Sequence, residues 1–139
     1  YSSSVAPIKH DHYGWAEAPR FAFKPVAGSD LIEIPVTTAE FAGKRLAAGG
    51  GGFFRLLPYG FSSWAIRQVN GDNKRPAIIY FHPWEIDPGQ PRVAHAPLKS
   101  KLRHYTKLKA MAPKLKRLMH DFRWDRLDAI VADEREQMA

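Results

Sequence analysis

The longest uninterrupted apolar stretch, five residues and so of strand length, lies at residues 77–81, AIIYF. A run without alternation suits a strand covered on both faces, as in a parallel sheet, better than a half-exposed one. A second strand is expected at residues 31–36, LIEIPV, where Pro35 favours an edge or a strand end. Residues 1–8 read as a short extended segment ending in a turn around Pro7. Helical spacing starts at Pro58, with Phe61, Trp64, Ala65, Ile66 and Val69 near a 3.6 period, and the turn residues at 70–73, NGDN, stop it. The tail is helical too. Leu115, Leu118, Met119 and Phe122 fall at i, i+3, i+4 and i+7, with Pro113 expected in a first turn and Asp125 as the cap of a last one carrying Leu127, Ile130 and Val131.

Between these elements the pattern is weaker. Residues 38–48 are expected to form a short helix or turn, and the four glycines at 49–52 a flexible turn before Phe53. Residues 10–25 are rich in aromatics and read as an ordered loop, and residues 86–98 as a proline-rich one. No internal repeat is present.

Composition narrows the classes. The 139 residues are 45% hydrophobic and 25% charged, which fits one packed domain or a large piece of one. There is no cysteine, so disulfides, thiolate metal sites and a cysteine nucleophile are excluded. No apolar run approaches the roughly 20 residues that span a bilayer. The chain opens on Tyr1 rather than Met, which we read as the start of a fragment or processed product. The formal charge is +7, and residues 92–126 hold eleven Lys and Arg against two Asp. Such a stretch either is a solvated helical face or meets nucleic acid, anionic lipid or an acidic glycan.

The chemistry converges on His82, directly after the apolar run. Strand C-termini gather active-site residues in open sheets and barrels, and an imidazole there can act as general acid or base. The competing reading is a histidine that merely ends a strand and bonds to backbone. Trp84 and Glu85 beside it offer a stacking surface and a carboxylate. Arg20 and Arg55, set among aromatics, either hold a ligand oxygen through the guanidinium fork or serve structural ion pairs. Tyr59 and Trp15 are further candidates for a glycan surface. His10-Asp11-His12 invites a metal reading in which His10 and His12 converge; no third ligand is adjacent, and His82 or His95 is left to supply one through the fold. Neither a phosphate-loop pattern nor a GxSxG elbow occurs, which argues against nucleotide binding and serine hydrolysis.

Several longer motifs carry a resemblance. YSSSVAPIKHDHYGWAEAPRF, LIEIPVTT, GGGGFFRLLPY, IIYFHPWEIDPGQPR and LKSKLRHYTKLKAMAPKLKRLMHDFRW together resemble the exosortase-associated group of bacterial polysaccharide deacetylases. That group belongs to the nodulation-type deacetylase homology family, carbohydrate esterase family 4. Ser2 stands where the group usually has Asp. The resemblance implies an α/β fold, the C-terminal portion of a distorted (β/α) barrel over residues 1–98, followed by a basic helical extension over residues 99–139. It also implies hydrolysis of acetyl groups on an acetylated polysaccharide by a divalent metal, zinc by expectation, and its bound water. His82 matches the family's late histidine, the general acid toward the leaving group. Trp84, Glu85, Tyr59, Arg55 and Arg20 are then the candidate substrate contacts. The family's metal ligands and early Asp motif have no counterpart in these residues. The expected partner is thus the missing N-terminal half of the enzyme, with no metal bound by this chain, no nucleic acid and no transmembrane segment.

Overall fold

The apolar run is the partition between two cores in the computed structural model of the chain, which describes residues 1–10 and 13–138. Successive residues of an extended segment point to opposite sides. Ala77 and Ile79 accordingly pack on a cluster of Phe54, Ile66, Met111 and Leu118, while Ile78 packs on Ile32, Ile34 and Val131. Both faces are covered, which is why the run shows no polar alternation. The coverage stops early, because Tyr80 and Phe81 emerge 41% and 42% exposed.

Around this partition the order is β1 (Thr38–Phe41), β2 (Lys44–Ala47), α1 (Gly51–Leu56), α2 (Tyr59–Arg67), α3 (Leu98–Tyr105), α4 (Leu108–Asp121) and α5 (Leu127–Gln137). A π-helical turn, Gln68–Asp72, ends α2 at the expected turn residues, and a 3₁₀ turn, Pro83–Ile86, follows His82. The fold is a mixture of helices with one small two-stranded sheet. None of the described helices is long and apolar enough to cross a membrane.

The segments expected as strands are extended but joined by isolated bridges rather than ladders. Ser2 pairs with Glu33 in parallel, Phe23 with Glu33 antiparallel, and Gly50 with Tyr80 in parallel. Glu33 is therefore flanked on both sides, and the 31–36 segment is not an edge there. Its side chain is 3% exposed and accepts the amides of Ser4 and Val5, both at 2.8 Å. A buried carboxylate with two amide donors has its desolvation offset.

Residues 38–48 form a β-hairpin, not a helix. Ala42 and Gly43 both take left-handed backbone, φ 49° and 73°, the pair of conformations that a two-residue type I′ turn needs. The cross-strand partners Glu40 and Arg45 face each other, and Gln68 bonds both the amide and the carbonyl of Glu40 along the outer edge. Helix-favouring Ala, Leu and Lys are overridden here by the turn and by these edge contacts.

Three further expectations shift. Pro113 lies inside α4 rather than in its first turn, since the helix begins at Leu108. Met119 is half exposed, and Met111 takes the buried place beside Leu118. Asp125 accepts the amide of Arg126, the N-cap of α5, instead of capping an interior amide. Each fully buried large side chain, such as Phe54 or Ile66, stabilises the fold by roughly 1.5–3 kcal/mol.

The glycine run is also not a flexible turn. Gly51 and Gly52 open α1, and a methyl group at Gly49 would collide with the Ile78 carbonyl oxygen and stand 2.7 Å from Val36 Cγ1. Gly49→Ala should therefore destabilise the protein by about 1–3 kcal/mol in chemical denaturation. Gly60→Ala, in α2 with open space around it, should stabilise by about 0.5–1 kcal/mol in the same assay.

Candidate functional site

Where the apolar run leaves the core it delivers His82 to the surface, as the residue before the 3₁₀ turn. Pro83 suits the first position of that turn, because its fixed φ is compatible and its missing N–H would go unpaired there anyway. The tight turn then brings Glu85 back under His82. Glu85 Oε2 accepts the His82 amide at 3.0 Å, and the Glu85 amide donates to the His82 carbonyl at 2.9 Å. His82 is thus held by its backbone while its ring stays exposed. The ring stacks on Trp84, with centroids 4.1 Å apart and planes 7° apart.

Glu85 is itself buried, 5% exposed, against Arg55 of α1, 3% exposed. The pair stands at 3.9 Å, closer to charge pairing than to a hydrogen bond. Arg55 donates through Nη2 to the Arg103 carbonyl at 2.6 Å, while its Nε and Nη1 find no hydrogen-bond partner among the described residues. Burial lowers the Arg55 pKa, and the Glu85 charge opposes that shift. At the far end of α1, Lys114 donates to the carbonyls of Phe54, Arg55 and Leu57, and Lys107 to that of Leu56. These lysines satisfy helix-end carbonyls and complement the negative end of the helix dipole. Burial, then the nearby Lys107, lowers the Lys114 pKa.

His82, Trp84, Glu85 and Arg55 line one cleft of about 460 Å³. Its other wall is α3, part of the segment expected to be a basic extension without site residues. His104 lies nearly parallel to Trp84 on this side, with centroids 6.5 Å apart, and bonds Gln90 Oε1 at 2.6 Å. Gln90 in turn donates to the Trp84 carbonyl, so one amide side chain ties the two walls together. Tyr80 also lines the cleft and hydrogen-bonds Tyr13; burial raises its pKa, with the charges of Tyr13 and Glu85 adding to the shift. The His104-Tyr105 doublet in an otherwise basic helix was the available sequence signal for this wall, but spacing alone does not say which loop a helix faces.

Tyr59 and Arg20 lie elsewhere. Tyr59 donates to Asp121 Oδ2 at 2.7 Å beneath the Arg117 guanidinium, and its ring packs on the first core cluster. Arg20 binds the Thr38 carbonyl and Glu40, tying the aromatic loop to the hairpin. Trp15 is half exposed against Phe23, apart from the cleft. Asp11 and His12, two of the three residues in the suggested metal motif, lie outside the described residues. Among the described residues, no group of three His, Cys, Asp or Glu side chains is placed to hold a metal ion.

Comparison with known proteins adds one family. Residues 3–132 match the model of a domain of unknown function (DUF3473). The chain belongs to that family. No curated protein and no solved structure matches it. The match spans both cleft walls, from the His82 turn to α3, so the DUF3473 domain includes the whole candidate site.

Two tests follow from the geometry of this DUF3473 chain. Glu85→Gln leaves the Arg55 charge buried without its counter-charge and should cost about 3 kcal/mol in denaturant unfolding. Tyr59 has its pKa pushed up to about 12, first by burial and then by its bond to Asp121. A phenol raised in the folded state contributes stability that is fully present below its unfolded pKa of roughly 10 and is lost as pH rises through the folded value. Stability of the parent should thus fall between about pH 10 and about pH 12, and Tyr59→Phe should flatten that part of the profile.

Proposed function

We propose that this chain is the C-terminal part of a metal-dependent polysaccharide deacetylase, with His82 as general acid toward the leaving group. The observation that supports it best is an exposed imidazole at the end of an extended run, held by the buried Glu85–Arg55 pair at the mouth of a cleft with an aromatic wall. The carboxylate holds the histidine through its backbone amide, and the ring, stacked on Trp84, stays exposed toward a substrate. In this reading the His82 ring N–H gives its proton to the sugar nitrogen or oxygen released from the acetyl group. Trp84 supplies an apolar face for a sugar ring, and the rigid turn below it keeps both side chains in register.

The described residues do not fit a metal centre of the deacetylase kind, because they bring no three-ligand group together. We assign the metal, zinc by resemblance, to an N-terminal half carrying the family's metal motifs, and derive no step through it from these residues. Residues 1–98 are then the end of a distorted (β/α) barrel. Residues 99–139 are the extension that folds back on it, through Met111 and Leu118 on one core and Val131 on the other.

A second reading is a glycan-binding module without catalysis. The near-parallel His82, Trp84 and His104 rings favour it, since aromatic faces in a cleft bind sugars whether or not chemistry follows.

One measurement separates the two. In a protein extended upstream through the metal motifs, His82→Ala should lower acetate release from an acetylated polysaccharide by about 100-fold or more, with binding retained. Unchanged turnover removes the assigned role, and binding without any acetate release in the parent leaves the module.

A further inference from the structure

The charge of the cleft narrows its ligand. Arg55, Lys101 and Arg103 line it as permanent cations, and Glu85 is its one carboxylate among the described residues. Glu85 is already committed, to Arg55 and to the His82 amide. The two cations of α3 are therefore not balanced from within the cleft. Lys101 is fixed at its rim by a bond from Nζ to the Ala94 carbonyl at 2.6 Å, and the Arg103 side chain is exposed while its carbonyl anchors Arg55. These cations stand on the wall facing Trp84 and Tyr80, which are 45% and 41% exposed.

Exposed rings beside two cations in one cleft suit a ligand with an apolar ring face and negative groups along one edge. Nucleobases stacked beside phosphates have that outline, and so do sugar rings bearing carboxylates. A carboxylate matches the planar fork of Arg103, and a cleft of about 460 Å³ has the volume for a pyranose ring. We infer that the cleft takes an acidic polysaccharide, one whose sugar units carry carboxylates, with Lys101 and Arg103 pairing the acid groups and Trp84 stacking a ring. The inference rests on reading the cleft as a glycan site, and it adds the charge class of the substrate.

The test is binding, followed by Trp fluorescence. A short oligogalacturonate is titrated into the chain, in parallel with a neutral N-acetylated oligosaccharide of equal length and a single-stranded oligonucleotide of equal charge. The uronate should saturate with a Kd about tenfold or more below that of the neutral sugar. Raised salt should weaken it, and Lys101→Gln with Arg103→Gln should bring the two sugars to similar affinity. Equal or tighter binding of the neutral sugar overturns the inference, as does no saturable response to the uronate. Tighter binding of the oligonucleotide overturns it in favour of a nucleic-acid surface. The parent chain's preference among the three ligands decides the matter even if the double variant misfolds. Neutral-sugar preference combined with His82-dependent acetate release defeats the acidic class alone. Uronate preference by the chain, with no acetate release by the protein extended upstream, leaves this inference standing and defeats the deacetylase.

Discussion

The structure depends on one close approach of backbone to backbone. At Gly49 and Gly51 the chain passes so near residues 78–85 that a side chain does not fit: a methyl group at Gly49 would collide with the Ile78 carbonyl oxygen, and one at Gly51 would meet the Glu85 carboxylate and lie 2.8 Å from Phe81 Cβ. That contact lets Gly49 accept the Tyr80 amide and lets α1 start immediately afterwards. Because α1 starts there, Arg55 arrives one turn later beneath Glu85, and Glu85 holds His82. An added methyl at Gly49 would thus disturb the partition between the cores, and one at Gly51 the support of the candidate site.

Buried charge organises the rest. Glu33 and Glu85 are both nearly inaccessible, and each commits one carboxylate oxygen to backbone amides: Ser4 and Val5 for Glu33 Oε1, His82 for Glu85 Oε2. The Glu33 bonds join segments distant in sequence without a sheet ladder and so help hold extended stretches that otherwise pair only through isolated bridges. Part of the basic stretch serves the same end. Lys107 and Lys114 close the carbonyls at the end of α1, while Lys101 and Arg103 remain at the cleft. The positive charge of the tail is therefore divided between holding the fold and facing a ligand.

What was legible in the sequence follows from interactions close along the chain. The spacing of Phe61 to Val69 and of Leu115 to Phe122 reports helices, because side chains three and four apart share a face. The unbroken run reports cover on both sides for residues 77–79, while Tyr80 and Phe81, equally apolar, emerge to line or flank the cleft. The hairpin at 38–48 was missed because its composition favours helix and its turn is the unobtrusive pair Ala42-Gly43, whose left-handed backbone only the paired strands select. Pro113 was placed in a first turn because the helix start at Leu108 carries no side-chain cap to announce it.

For the site, the sequence by itself determined that a histidine follows an apolar run, with Trp84 and Glu85 next to it, since those neighbours are covalent. It also determined the absence of thiol chemistry and the excess of late positive charge. Tertiary structure alone decided that Arg55 joins them while Arg20 and Tyr59 do not, and that α3 brings His104, Lys101 and Arg103 to the opposite wall. The reason is physical. Helix and strand periods arise from local geometry, whereas the meeting of α1, α3 and the His82 turn comes from long-range packing, a glycine-permitted close approach and the pairing of buried charges, none of which has a period to read.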